Sequence, residues 1–522
     1  MRITRNVLLV IISSLLLLSA CGKGDAQTGT DTSAPKRIVY GTDEEIKQIN
    51  PVLTDAQEID RLLFRGLTQP TENNEIVPDL AASWDITEDQ LTYTFTLRED
   101  AQWEDGEPVT ADDVKFTLDA IIDPETNTPI AGEFNEIQSV TVIDPHQLEI
   151  TLKNPFPALL GKLQVGIVPK HLLESQDINQ NDFNQSPVGN GPFKIKSWDA
   201  DHTVTLERSE TYYGTKPKID EIVFKPVLDA NTRVLQLKTG EIDLALLGPN
   251  QLKSIHEKDH LAIYSIPTAD YRAVLYNFNK PLFKDPLVRQ AMNFAIDREA
   301  IVKGLLNDKG QPAYSPLQKS WALTDTVSET PFQPDKTKQL LTEAGWSLNK
   351  DGIYEKDGQQ FEFDLYTIAT DPVRVALANI VSEQLKPLGI IVHPKPSSWD
   401  AIDLNTIDSL VIGWGSENDP DDHTYRLFHS SQIGDGLYNM GSYENPEVDK
   451  LLEAARTTDD IDERKKWYGE FQEALTEDPP FNFLVYLDAV YAANDRVTGI
   501  GKRTLGHHGF GIVWNIEDWD VE

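Results

Sequence analysis

Cysteine is almost missing from this sequence: of 522 residues only Cys21 carries a thiol. One thiol cannot build a disulfide framework or a cysteine-ligated metal centre. Positive charge is scarce as well. Against 84 Asp and Glu stand 47 Lys and Arg, for a formal charge of −37. An anionic surface of that size repels nucleic acid and anionic lipid headgroups, favours solubility, and leaves cationic solutes as compatible ligands. No G-x-S-x-G, Walker loop or paired-cysteine motif is found in the sequence, so the usual signatures of hydrolase and nucleotide chemistry are missing too. Beyond residue 20 no apolar run approaches the length of a membrane span.

What is present begins at the N-terminus. Met1-Arg-Ile-Thr-Arg5 is a short basic stretch, followed by the apolar run Val7–Ala20. That run is short for the roughly 30 Å of a bilayer's hydrocarbon. Leu18-Ser19-Ala20-Cys21 then places small residues before the cysteine, the pattern of a lipoprotein signal cleaved ahead of a lipidated thiol. The expectation is a signal peptide over 1–20, a lipid on Cys21 and a flexible tether over 21–35 (GKGDAQTGTDTSA within it). The body would then stand outside the cell membrane, anchored by its lipid.

At this length two or three domains of roughly 100–200 residues are expected, and 10 Trp, 16 Tyr and 19 Phe suffice for their cores. Residues 85–155 read as β-rich: Tyr93–Leu97 and Gln147–Leu152 alternate apolar and polar, with a short helix from Ala111 capped by Thr110. From about 220 strands and helices alternate, which predicts a mostly parallel sheet. Lys36–Tyr40, Glu221–Val227 and Ile242–Leu247 are strands, and Asn231–Leu237 is a helix stopped by Gly240. The spacing of Val288, Ala291, Met292, Ala295, Ile296, Val302 and Leu305 predicts one helix over Asp285–Leu306. Further helices are expected after Arg374, from Asn445-Pro446 and around Trp467–Leu475, with Phe481–Leu487 a buried strand.

One stretch looks like catalysis. His256-Glu257-Lys258-Asp259-His260 matches H-E-x-x-H, in which two histidines on one helix face bind zinc and the Glu acts as base. The match requires a continuous helix. Lys258-Asp259 is a turn-like pair, Pro249–Glu257 is predicted as a short helix and Leu261–Ile266 as the next strand, so His260 falls in a turn. The reading is therefore not an enzyme, with no cofactor and no metal held by the chain alone.

Motifs distributed along nearly the whole mature chain, each weak alone, form an ordered series. They include Val77-Pro-Asp-Leu-Ala-Ala-Ser-Trp84, Trp103-Glu-Asp-Gly106, Thr110-Ala-Asp-Asp-Val114, Gly189-Asn-Gly-Pro-Phe193, Gly240-Glu-Ile-Asp243, Asp285-Pro-Leu-Val-Arg-Gln-Ala-Met-Asn-Phe-Ala-Ile-Asp-Arg298 and Glu343-Ala-Gly-Trp346. In that order they resemble the extracytoplasmic solute-binding proteins of ABC importers for oligopeptides, dipeptides and nickel complexes. The resemblance implies an α/β, two-lobed, periplasmic-binding-protein-like (type II) fold with an extra β-rich domain inserted in the N-terminal lobe. It implies one lobe from 36–66, 187–268 and 488–522, an insertion over 67–186 and a second lobe over 269–487. Chain crossings are expected near Pro267–Asp270 and Leu487–Val490. The implied partners are a short peptide, or a small cationic or chelated solute, and the permease subunits of a transporter, with the protein itself a monomer.

The resemblance also directs attention to Trp414-Gly-Ser-Glu417-Asn-Asp419, which follows a strand. In peptide-binding relatives an Asp separated from such a Trp by two residues pairs with the peptide's amine; here Glu417 holds that place, and Asp419-Pro420 is spaced more as in the nickel-binding branch. A carboxylate in a closed cleft favours an ammonium or a metal complex, and Trp414 offers a flat face. Tyr271, Tyr438 and Asn439 complete the expected ligand-binding set. The nickel-binding relatives place an arginine in the segment matching Leu163–Val168, and this chain has none there. His423 and His429, six apart, and the adjacent His507 and His508, whose side chains diverge in most backbones, are expected to be surface or core residues. Peptide and nickel-chelate ligands both remain open at this stage.

Overall fold

A computed structural model describes residues 34–522 apart from 56, 417, 435 and 436. Its backbone is one large mixed sheet. Two long strands, Leu261–Tyr276 and Phe481–Asn494, run antiparallel through its centre. Outward on one side lie Leu244–Leu247, Arg37–Thr42, Glu221–Pro226, Val204–Arg208 and Phe193–Trp198; on the other lie Ser409–Trp414, Glu362–Ile368 and Ile391–Ser397. The expectation of a mostly parallel sheet needs correcting. Parallel ladders occur only within the two flanking sets (Arg37–Thr42 with both neighbours, Glu362–Ile368 with both neighbours), while every pairing of the central strands is antiparallel. Local βαβ spacing records the flanks; it carries no information about strands that pair across more than 200 residues.

The central ribbon changes register between Pro267 and Tyr271: Pro267 faces Asp488, then Tyr271 faces Tyr486. The hydrophobic cores separate at the same place. One large core draws on residues 38–266 and 489–519, and two others on 271–486. The β-rich segment forms a four-stranded antiparallel sheet, Ala81–Ile86, Thr92–Leu97, Gln147–Leu152 and Ile137–Asp144, backed by the helix Ala111–Ile122 with its Thr110–Asp113 capping box. Its buried residues, such as Phe95, Leu118 and Ile150, belong to the same core as Ile38 and Trp519.

Most helices begin where capping chemistry places them: Asp371, Asn445 and Asp460 accept from the first-turn N–H groups, and Gly240 closes Ala230–Thr239 with φ 75°. The single helix expected over Asp285–Leu306 is instead two, Pro286–Phe294 and Arg298–Gly304. Asp297, inside the expected helix, turns its carboxylate to the Ala300 N–H and starts a new helix. Arg298, almost fully buried, then donates to the carbonyls of Phe483, Asn293 and Thr330 and to Asn482 Oδ1. The break lets one guanidinium close carbonyls from three separate segments.

The Trp103-Glu-Asp-Gly motif makes a tight corner against Gly189, whose carbonyl accepts from the Glu104 N–H. Burial pushes the Glu104 carboxyl up to about 8, and its Oε1 has no hydrogen-bond partner. A carboxyl raised above its unfolded value binds protons more tightly when folded, so its contribution to stability falls as pH rises from about 4.5 through about 8. Glu104→Gln should therefore raise the thermal midpoint at pH values above the folded pKa and leave it nearly unchanged in mild acid. Thermal melts of both proteins across that range check it; an equal effect at every pH would contradict it.

Candidate ligand-binding site

Three chain segments meet where the central ribbon changes register. Ser409–Trp414 lies beside the first long strand, with Tyr271 opposite Trp414 and Arg272 opposite Gly413. Parallel to it, Glu362–Ile368 ends at Asp371, which caps the helix Pro372–Leu385 by accepting from the N–H groups of Val373 and Arg374. The C-terminal loop arrives through Leu505, which bridges Thr268. Strand ends and a helix start thus converge, the usual place for ligands in open α/β sheets.

Asp270 is the centre of this convergence. Fully buried, its carboxylate is bonded by the Arg272 guanidinium, lies 2.8 Å from His507 Nδ1 and accepts the His508 N–H at 3.2 Å. Burial would raise its pKa, but Arg272 and His507 overcome that and hold it well below the usual range. Arg272 also approaches Asp371 at 3.8 Å, and Arg374 Nε lies 3.0 Å from the same carboxylate. Gly413 is required between them, because a Cβ there would overlap Arg272 and lie 2.9 Å from Arg374 Nη2. Burial and the like charge of Arg272 lower Arg374 to about 10, still fully cationic at neutral pH. Among the described residues no hydrogen-bond acceptor meets its two terminal nitrogens.

The two histidines of the C-terminal loop do not diverge as expected. His508 takes a left-handed backbone, φ 56°, which brings its ring to 4.0 Å from that of His507. Burial, with the neighbouring His507, lowers His508 to about 4, so its imidazole is neutral at pH 7.

The residues expected to bind ligand are differently disposed. Trp414 is half-buried at the strand end, edge-on to Tyr438 with ring centroids 4.9 Å apart, and Arg426 lies over Tyr438 at 4.0 Å. These two aromatics do share a surface. Tyr271 does not join them: it is fully buried, packed edge-on against Phe483 and Tyr486 at 5.2 and 5.9 Å, because its strand position points into the core behind the site. Asn439 is likewise consumed internally, donating to the carbonyls of His429 and Tyr443 and accepting the Tyr443 N–H. Asp419 is held by Arg464 through two bonds of 2.8 and 2.6 Å and also accepts the Asp421 N–H. Its carboxylate is a clamp on the loop rather than an open acceptor. Glu417 and Cys21 lie outside the described residues.

The other histidines are structural. His423 accepts the Ser416 N–H through Nδ1, and burial lowers it to about 4. His429 stacks on Tyr425 at 4.2 Å. His256 caps a single turn, Glu257–Asp259, and His260 follows it with φ 53°. The H-E-x-x-H match is therefore a turn, with no helix to bring the two rings to one metal. The described residues contain no group of three or more His, Cys, Asp or Glu able to hold a metal ion.

Opposite Trp414 stands the β-rich part of the molecule. Lys162 bridges Asp422 at 2.7 Å and Glu133 at 3.1 Å, Arg426 meets Glu133 at 3.4 Å, Arg456 meets Glu136 at 3.4 Å, and Gln164 donates to Asn418 Oδ1 at 3.1 Å. These contacts cross between the large core and the core around Phe428, so the two faces are closed on one another.

A model of the bacterial extracellular solute-binding proteins, family 5, matches residues 75–435. The chain belongs to that family. It is 32% identical over 99% of both chains to the oligopeptide-binding protein AppA of Bacillus subtilis, and 33% identical to Protein XP55 of Streptomyces lividans over 91% of this chain and 88% of that one. Among solved structures it resembles NikZ from Campylobacter jejuni in complex with Ni(L-His), with TM-score 0.84 and 40% identity over 93% of this chain and 99% of that one. The B. subtilis AppA structure in complex with a nonapeptide superposes with TM-score 0.78, 30% identity and coverage of 94% and 100%. The two-lobed α/β fold of family 5 accounts for the paired central strands. No helix among the described residues is long and apolar enough to cross a membrane.

Sequence reading missed Asp270, Arg272 and Arg374. A signal was there: Arg272 interrupts the apolar run Tyr271–Tyr276, and Arg374 sits in the first turn of a helix, where a cation opposes the macrodipole. Both placements cost stability unless something nearby compensates.

Asp419→Asn should leave the Arg464 guanidinium, 3% exposed, without its charge partner and lower stability by about 3 kcal/mol, while ligand stoichiometry stays intact. Denaturant titration with calorimetry checks it; lost binding at unchanged stability would instead make Asp419 a ligand contact.

Proposed function

We propose that this protein captures a small amino-acid-like solute between its two lobes and delivers it to an ABC permease. The observation that carries the reading is Arg374. Its terminal nitrogens have no protein acceptor at the strand ends, beside Arg272, so a ligand carboxylate would be met by a rigid donor pair. Support comes from what relatives are named for: Ni(L-His), a nonapeptide and, in the glutathione-binding protein GsiB of Salmonella typhi, 26% identical, a small peptide-like thiol.

The first reading of the ligand is a short peptide. Its amine would be met by Glu417, since Asp419 is engaged by Arg464. The second reading, a nickel chelate, is favoured by His508: an imidazole kept neutral is the form that ligates a metal, and it lies in the electrostatic reach of Arg272 and Arg374. The chelator would bring most of the donors. The arginine missing from Leu163–Val168 would be replaced by this pair.

In this reading the lobes comprise 36–66 with 187–268 and 488–522, and 269–487, with 67–186 inserted, and the ribbon at Pro267–Tyr271 is the hinge. Lipid on Cys21 would keep the monomer at the outer face of the membrane, and no catalytic step is assigned.

Calorimetry with a peptide pool, and with nickel in the presence and absence of L-histidine, tests the reading. Wild-type protein should bind one of these, and Arg374→Ala should weaken that binding at least about tenfold, or 1.4 kcal/mol. Binding of nickel only with L-histidine selects the chelate. Unchanged affinity in Arg374→Ala would remove the carboxylate anchor.

Cys21→Ala should shift the protein from the membrane fraction to the soluble one, and mass spectrometry of the wild-type N-terminus should find a lipid; equal partition of both proteins would remove the anchor.

A further inference from the structure

Beyond Trp414 the interlobe space does not close solidly. A cavity of about 140 Å³ lies there, lined by Glu133, Glu136 and Lys162 from one lobe and by Asp421, Arg426 and Arg456 from the other. A polar space of that size is hydrated rather than dry. Arg426 separates it from the aromatic surface. Its guanidinium lies 4.0 Å over the Tyr438 ring and 5.9 Å from that of Trp414, and one nitrogen reaches Glu133 across the lobe boundary at 3.4 Å. Glu133 is fixed in turn by Lys162 at 3.1 Å. The far wall repeats the arrangement, with Arg456 stacked on Tyr425 at 3.9 Å and reaching Glu136 at 3.4 Å.

Trp414, next to the Gly413 that lies against Arg272 and Arg374, is therefore followed by a stacked arginine with a hydrated cavity behind it. We infer that the Arg426–Glu133 pair is a length stop: it ends the ligand site at Trp414, restricts the protein to short or compact ligands, and walls off a cavity that would otherwise admit a further residue. This rests on the proposal that the ligand is amino-acid-like and anchored at Arg374. The chemistry is steric and electrostatic together. An uncharged chain continuing past Trp414 would have to displace a guanidinium from both an aromatic face and a carboxylate, and would leave Glu133 and Lys162 to rearrange.

The test uses the full-length protein, Arg426→Ala and Glu133→Ala. Each is incubated with a pool of peptides of two to six residues, and separately with nickel offered with L-histidine or with the bulkier chelator Gly-Gly-His. Bound masses are read by native mass spectrometry and affinities by calorimetry. Wild type should retain only the shortest peptides, or only the L-histidine chelate. Both variants should gain at least about tenfold for the longer peptides or the bulkier chelate, with the short ligand changed less than about twofold; Glu133→Ala guards against a folding defect peculiar to the helix carrying Arg426. Identical length distributions in all three proteins would overturn the stop. So would a loss of affinity uniform across lengths, which would make the pair a closure contact only. If no protein retains anything from either probe, it is the amino-acid-like ligand that fails, and the stop falls with it, whereas short-ligand binding with unaltered length preference sinks the stop alone.

Discussion

The buried carboxylate of Asp270 ties together everything that meets at the hinge. It sits where the central ribbon shifts register, and it bonds a guanidinium on its own strand and two residues of the C-terminal loop. Removing an ion from water costs several kcal/mol, and only close opposite charge and full hydrogen bonding compensate. Asp270 has both, so the cost is converted into geometry: the C-terminal loop must lie against the crossing, Arg272 must lie along Gly413, and Arg374 is pressed toward Arg272 with Asp371 between them. A neutral residue at 270 would leave Arg272 buried with a more distant carboxylate, and the strand ends would lose their common anchor. The position of the donors, the left-handed His508 and the need for glycine at 413 all follow from this one burial.

The same economy explains why the cleft's acids are not where a cationic ligand would find them. Asp419 is taken by Arg464, Asp421 by Arg456 and Asp422 by Lys162. Each carboxylate is mostly buried, and burial, with Glu133 and Asp419 nearby, pushes Asp422 up to about 6 despite Lys162. Paired, they brace the loop that follows Trp414 against two helices, Pro446–Arg456 and Ile461–Glu477. The loop's acidity thus has a structural cause, and recognition passes to the guanidiniums on the opposite side of Trp414.

Much of the fold was legible because its signals are local. The Thr110 cap, the helix start at Asn445-Pro446, the alternation of Gln147–Leu152, and the turn at His260 are each decided within a few residues. The order of the family's motifs carried the two-lobed architecture. What escaped depends on partners far away in the chain. Asp419 reads as a free carboxylate until Arg464, forty-five positions on, is placed against it. Tyr271 looks available at the hinge until Phe483 and Tyr486 cover it. The helix break at Asp297 is invisible in a stripe of apolar spacing that continues on both sides of it. Trp414 and Tyr438 do meet, ring to ring, because an aromatic at a strand end and one on the loop facing it need no remote partner to share a half-buried surface.

Charge distribution then bears on how a ligand is recognised. The chain is strongly anionic overall, at −37, yet Lys162, Arg272, Arg374, Arg426, Arg456 and Arg464 gather near the interlobe face. All are paired with carboxylates, Arg374 through Nε alone, so the face is nearly neutral beyond a Debye length of about 8 Å. An anion would feel little attraction at a distance and would be repelled by the rest of the surface. Capture must therefore rest on short-range donors inside a closing cleft, where the dielectric is low and a misplaced carboxylate is left unpaired. Such a site would trade rate of encounter for discrimination: under the proposed reading a solute is kept when its carboxylate reaches Arg374 and its bulk stops short of Arg426.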